Sequence, residues 1–195
     1  MARATGGGDD LETPAMGAAE PRPSTRETTG PVGRARWRLF GGLAATVLVL
    51  DQLAKAWIAA NVDPARPSEL VGDLLRLVIS HNTGALFGMF RDQAILFALA
   101  SMAVIALIVV YHGRSGRNTI LSVALGLLLG GALGNLSDRL RLGYVLDFVD
   151  AGIGNFRWYT FNAADSAISV SLLLLLLLAF RPSLGEPAGP RGSDG

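Results

Sequence analysis

Three aspartates and two asparagines stand at the ends of two strongly apolar stretches of this chain: Asn135 and Asp138 beside Arg139, then Asp147, then Asn162 and Asp165. Ionised carboxylates are costly beside lipid, so acids at such positions need a reason to be there. Two carboxylates converging at a membrane surface are the minimum equipment for activating water against a peptide bond, one as base and one as acid. Asp147 sits in Val145-Leu146-Asp147-Phe148-Val149, and hydrophobic flanks of this kind raise a carboxyl pKa by desolvation. Asp165 follows Asn162 by three residues. That spacing predicts a helix N-cap with the acid at the third helical position, where the helix dipole favours the ionised form. The two environments push the acids apart, as a shared-proton pair requires, although a solvated turn at Asp147 and a plain capping pair at Asp165 account for the same residues.

Other polar groups fall in equally apolar company. Asp51 and Lys55 are four apart within one hydrophobic run and so share a helical face. They read either as a structural ion pair or as a contact for substrate or a lipid head group. Asp138 and Arg139, being adjacent, point different ways on a helix. Asp138 suits bracing of loop amides, and Arg139 suits a carboxylate of the following loop or a lipid phosphate.

The elements that must position these groups are membrane helices. Half of the 195 residues are hydrophobic and only 17% are charged, against the roughly 25% usual in soluble domains. Four apolar stretches, 39–60, 94–111, 119–136 and 163–180, approach the roughly 20 residues needed to span a bilayer. The last carries seven consecutive leucines, Leu172 to Leu178. Neither the second nor the fourth stretch shows the polar face expected of a soluble bundle. Gly126, Gly130 and Gly134 recur every four residues, a face that admits close approach by a neighbouring helix.

Residues 1–32 and 181–195 are rich in small, polar and proline residues without periodicity, and are expected to be disordered tails around a four-span domain at 33–180. The first lacks the ordered regions of a secretory signal, so no removal is expected. Arg34, Arg36 and Arg38 precede the first span, Arg114 and Arg117 lie in the short loop and Arg181 follows the last span, but the longer loops carry six arginines of their own; the dense cluster before the first span decides for cytoplasmic termini and short loop. The two longer loops then face outward. In the first, Leu74–Ser80 continued by Gly84–Phe90 reads as a β-element, either lying on the outer leaflet or capping the bundle. A net charge of +1 gives no field for nucleic acid. There is no cysteine, and His81 and His112 lie in different segments, so no metal or cofactor is expected.

Five motifs in order resemble bacterial lipoprotein signal peptidase, the signal peptidase II family. They are Asp51-Gln52-Leu53-Ala54-Lys55, Asn82-Thr83-Gly84-Ala85-Leu86-Phe87-Gly88, Gly131-Ala132-Leu133-Gly134-Asn135-Leu136-Ser137-Asp138-Arg139, Gly143-Tyr144-Val145-Leu146-Asp147-Phe148 and Phe161-Asn162-Ala163-Ala164-Asp165-Ser166. The resemblance covers about residues 39–180. It implies an α-helical membrane protein of four transmembrane helices with a small extracytoplasmic β-element and a lid loop. The implied activity is an aspartic endopeptidase of the bacterial plasma membrane, cutting diacylated prolipoprotein precursors just before the lipidated cysteine. Asp147 and Asp165 would be its catalytic dyad near the outer leaflet. Asn82, Asn135, Asp138, Arg139 and Asn162 would shape the site, with Asp51, Lys55 and Gly131 in support. Membrane lipid and the precursors are the expected partners, and a monomer is the expected state. The reading from another class is a small transport or binding protein using intramembrane ionisable residues. A proton relay spaces its acids through the bilayer, whereas Asp138, Asp147 and Asp165 gather at one surface.

Overall fold

The computed structural model describes residues 36–84, 94–116 and 118–185. Four helices are long and apolar enough to cross a membrane: α1 (Trp37–Asn61), α2 (Ala94–Ser115), α3 (Thr119–Leu142) and α4 (Ala163–Phe180). The expected tail at 1–32 lies outside the described residues. Of the expected C-terminal tail, Pro182–Gly185 form a short 3-10 turn and the rest lies outside.

Helix α3 is the most enclosed of the four and packs against each of the others. Its glycines make this possible. A Cβ built at Gly130 would lie 2.6 Å from Cβ of Val47 and 2.7 Å from the carbonyl of Ala44, so α1 rests directly on the α3 backbone. Gly126 and Gly134 lie on the same α1-facing side, whereas a Cβ at Gly131 would meet the carbonyl of Ala164 at 2.5 Å, on the α4 side. Such close approach supplies dispersion and packing where lipid offers no hydrophobic drive. Phe40, Ala44, Ile108, Leu125 and Leu129 complete the core between α1, α2 and α3.

The third helix runs six residues beyond the expected end at Leu136, because hydropathy fades there while helical bonding does not. Asn118 caps its start, accepting from Leu121 N at 2.8 Å. Gly143, at φ 80°, stops it in the left-handed conformation that glycine tolerates, its N–H donating to the carbonyl of Arg139. Asp138 and Arg139 are therefore helical residues held within the protein, as expected of a pair that points different ways on a helix.

The two long connections form one antiparallel sheet: β1 (Ser68–Val71), β2 (Leu75–Asn82), β3 (Val145–Ile153) and β4 (Phe156–Arg157), in that order. The strand expected in the first connection is thus β2, while residues 85–90 of its expected continuation lie outside the described residues. The second connection does more than overhang the site, since β3 pairs along β2 from Leu75↔Ala151 to Asn82↔Val145. Ile58, Val62, Leu77 and Phe148 bury the end of α1 against this sheet. At its far end Asp150 receives Arg76 Nη2 at 2.7 Å and Arg157 Nη2 at 2.9 Å, and both arginines also reach Asp73. Burial alone would push Asp150 upward, but the hydrogen bonds and charges of Arg157 and Arg76 hold its carboxyl below the ordinary range.

Candidate active site

An ion cluster forms the foundation. Lys55 Nζ lies 2.7 Å from Asp51 Oδ2, one turn before it, and 2.8 Å from Asp138 Oδ2 on α3. All three side chains are buried. Asp51 Oδ1 accepts from Ala164 N at 2.9 Å, so the acid of α1 also holds the first turn of α4. Asp138 Oδ2 accepts from Leu146 N at 3.1 Å, which fixes the start of β3. The geometry is that of the structural ion pair, widened to a third partner, and of loop bracing by Asp138. Two anions around one cation are stable out of water only because backbone N–H groups and Gln52 take up the remaining lone pairs. Gln52 is a residue that spacing did not single out. Its Nε2 donates to Asp138 Oδ1 at 3.0 Å, and its Oε1 accepts from Arg141 at 2.9 Å.

Above this cluster the two remaining aspartates meet a set of amides. Asp147 lies on β3 opposite Ser80, and Asn82 is the diagonal neighbour on the same face of β2. Asn82 Nδ2 donates to Asp147 Oδ2 at 3.1 Å, and Asn162 Nδ2 donates to Oδ1 at 2.6 Å. At the start of α4 the expected cap is complete. Asp165 N donates to Asn162 Oδ1 at 2.9 Å, and Asn162 N donates to Asp165 Oδ2 at 3.2 Å. Asn135 of α3 then joins the halves: its Nδ2 donates to Asp165 Oδ1 at 2.8 Å and its Oδ1 accepts from Asn162 Nδ2 at 3.2 Å. An unbroken path Asp147–Asn162–Asn135–Asp165 results, and Lys55 Nζ donates to Asn135 Oδ1 from below at 3.4 Å.

Asp147 is 1% exposed. Burial first, and the nearby Asp165 charge second, push its carboxyl up to about 7, against the pull of the Asn82 and Asn162 hydrogen bonds and of the Lys55 charge. It therefore keeps its proton to a higher pH than an ordinary carboxyl does.

Arg139 does not reach the carboxylates of the following loop among the described residues. Its guanidinium donates to the carbonyls of Asn135 and Gly84 at 3.3 and 3.5 Å and lies 5.6 Å from the centroid of the Phe97 ring. Gly131 meets α4 rather than the carboxylates. Every other residue singled out from sequence belongs to the ion cluster or to the amide path.

A cavity of about 670 Å³ opens on this arrangement. Asp165, Asn82, Asn135 and Arg139 line its polar side, and Ile168 and Leu172 of α4 form an apolar wall. Asp147 stands behind Asn82 and does not itself line it. Trp158, Tyr159, Thr160 and Phe161 close the cavity from the strand-to-helix connection. That segment carried no motif signal before Phe161, and only the fold shows that it faces the carboxylates. Among the described residues no cluster of three metal-ligating side chains occurs.

A model of the family described as Signal peptidase (SPase) II matches residues 43–181. A lipoprotein signal peptidase of Pseudomonas fluorescens (strain Pf0-1) is 43% identical over 159 residues, 78% of this chain and 91% of the relative. One from Rhodococcus jostii (strain RHA1) is 38% identical over 187 residues, covering 92% and 90%. Two solved structures, both described as bacterial membrane enzymes, match with TM-scores of 0.72 and 0.70 at 25% and 26% identity. They cover 80% and 76% of this chain and 96% and 97% of their own.

Proposed function

The chain belongs to the signal peptidase II family, and on that premise we propose that Asp147 and Asp165 are the catalytic dyad of this membrane-bound aspartic peptidase. The observation that carries the assignment is the amide path that joins buried Asp147 to Asp165 at the edge of the cavity. In the working state Asp147 holds the single shared proton and Asp165 is ionised. Asp165 takes a proton from water as the water oxygen bonds to the scissile carbonyl carbon. Asp147 gives its proton to the carbonyl oxygen, leaving a gem-diol. Asp165 then passes its proton to the amide nitrogen as the C–N bond breaks, and one gem-diol hydroxyl returns a proton to Asp147. The pair ends as it began. Asn162 and Asn135 hold the carboxylates at fixed spacing, and Asn82, which lines the cavity, yields its bond to Asp147 Oδ2 when the peptide enters. Asp51, Lys55, Asp138 and Gly131 act as support through the helix ends that they hold.

The substrates are diacylglyceryl-modified prolipoproteins, cut before the lipidated cysteine. Support comes from the division of the cavity, polar at Asp165 and apolar along Ile168 and Leu172 of a helix whose other face is exposed. A diacylated precursor peptide should be cleaved at least tenfold faster at low concentration than the same peptide without lipid, measured by release of a fluorescent fragment. Equal rates would remove the substrate class.

The protein lies in the bacterial inner membrane. Its orientation is read from the dense run Arg34, Arg36 and Arg38 just before α1, since arginine counts alone do not separate the two ends. That basic end is cytoplasmic, with both termini, and the dyad lies near the outer leaflet.

Because Asp147 must carry a proton to act, raising pH through about 7 removes the active form. The value of kcat/KM should therefore fall with pH above about 7, approaching tenfold per unit. A pH profile of the purified enzyme on a lipopeptide checks this, and a flat profile to pH 9 would place the proton elsewhere.

A further inference from the structure

At the end of the bundle away from the carboxylates, a second cavity of about 370 Å³ lies between α2 and α4, with the start of α3 as its floor. Leu121, Leu175 and Leu178 give it an apolar interior, and Tyr111 and Ser115 stand on the α2 side. Arg114 follows Tyr111 by three residues and so lies near its face of α2. Arg181 lies two residues after Ala179, the last lining residue of α4, and precedes Pro182, which also lines the cavity. Both arginines are exposed, and no ion pair involves either among the described residues. All the described acids lie toward the opposite end, so no described acid offsets the two cations.

We propose that this cavity is a binding site for an anionic phospholipid. Its phosphate is held between Arg114 and Arg181 near the Tyr111 hydroxyl, and one acyl chain lies along Leu121, Leu175 and Leu178. Three features favour a lipid over a soluble anion. The cavity lies between two membrane helices, Leu121, Leu175 and Leu178 share its lining with the polar Tyr111, Ser115 and Asn118, and Arg114 and Arg181 flank it at head-group depth. A phospholipid matches that order of apolar and charged groups along its own length. The exposed faces of α2 and α4 on either side are wetted by the same leaflet, so the ligand arrives by lateral diffusion. The site does not depend on the catalytic assignment, because no residue is shared between the two cavities.

The test is native mass spectrometry of the purified, delipidated full chain, titrated with phosphatidylglycerol and with phosphatidylcholine of the same acyl chains. Phosphatidylglycerol should bind the tighter. Arg114→Gln and Arg181→Gln should each weaken it by about fivefold and together by about thirtyfold, from about 1 kcal/mol per basic residue near a lipid phosphate. Phosphatidylcholine, whose phosphate is offset by its own choline cation, should be weakened less. Leu175→Trp, which fills the interior, should weaken both lipids. Arg38→Gln, an exposed arginine at the same end but on α1, is the control and should have no effect. Equal affinity for the two lipids overturns the proposal. So does loss in Arg38→Gln matching that in the other two, which would mean a diffuse basic surface. Competition by glycerol 3-phosphate as strong as that by the lipid would also overturn it, by showing a soluble anion as the ligand. The arginine variants lie on the surface, so folding is expected to be retained and is checked by circular dichroism.

Discussion

Asp165→Asn and Asp147→Asn should each give a protein that folds, inserts and cleaves precursor at least ~10³-fold more slowly than the parent, within the range of general acid–base effects. The asparagines differ in what they preserve. At position 165 an amide keeps an oxygen for Asn135 Nδ2 or for the Asn162 backbone N–H, so the cap survives in part. At 147 an amide keeps the 2.6 Å bond from Asn162 through its oxygen but turns a donor toward Asn82. Neither change opens a cavity, and neither touches the ion cluster beneath. Proton transfer is what each removes, because an amide is neither base nor acid at neutral pH. The two acids act as one unit, so the double variant should lose no more than either single one. Single-turnover cleavage of a lipopeptide, with thermal unfolding alongside, separates lost chemistry from lost fold. Full turnover by either single variant would end the dyad assignment.

Lys55→Met should be the most destabilising single change among the residues around the site. Lys55 is the shared cation for Asp51 and Asp138, at 2.7 and 2.8 Å, and all three groups are nearly dry. Removing one partner of a buried ion pair leaves an uncompensated charge and costs roughly 3–5 kcal/mol. Here two acids lose their counter-ion. At about 2–4 °C per kcal/mol for a chain of this size, the melting temperature should drop by roughly 6–20 °C. Activity should fall as well, since Asp51 holds the start of α4 through Ala164 N and Asp138 holds the start of β3 through Leu146 N. Those are the two elements that carry the aspartates. The discriminating measurement is a rescue. Lys55→Met combined with Asp51→Asn and Asp138→Asn leaves no unpaired charge and should recover part of the lost melting temperature. An unchanged melting temperature in Lys55→Met would show that the acids are solvated and that the cluster is no foundation.

The spans were legible because each is a long apolar run, and hydropathy reports directly on lipid exposure. Their ends were less legible. Leu136 is where α3 stops being apolar, but it remains a helix to Leu142 because Asn135, Asp138 and Arg139 find partners inside the protein. Local composition cannot tell a polar residue facing water from one facing a buried carboxylate. The Asn162–Asp165 cap was readable because a cap is local, with donor and acceptor three residues apart. Asp51 with Lys55 was readable as one helical face for the same reason, whereas the reach of Lys55 to Asp138 spans 83 positions and left no periodic trace.

The sequence by itself determined that this is a four-span membrane protein of the signal peptidase II family, with acids concentrated toward one surface. Periodicity, caps and ordered motifs are properties of neighbours along the chain. Only the tertiary structure decided that the two long connections zip into one sheet and that Asn82 of the first reaches Asp147 of the second. It alone showed that Asn135 and Asn162 join that acid to Asp165, and that residues 158–161 wall the cavity beside it. Those relations depend on how closely α1 and α4 settle against the glycine faces of α3. That distance is set by packing across the bundle, and no single stretch of sequence encodes it.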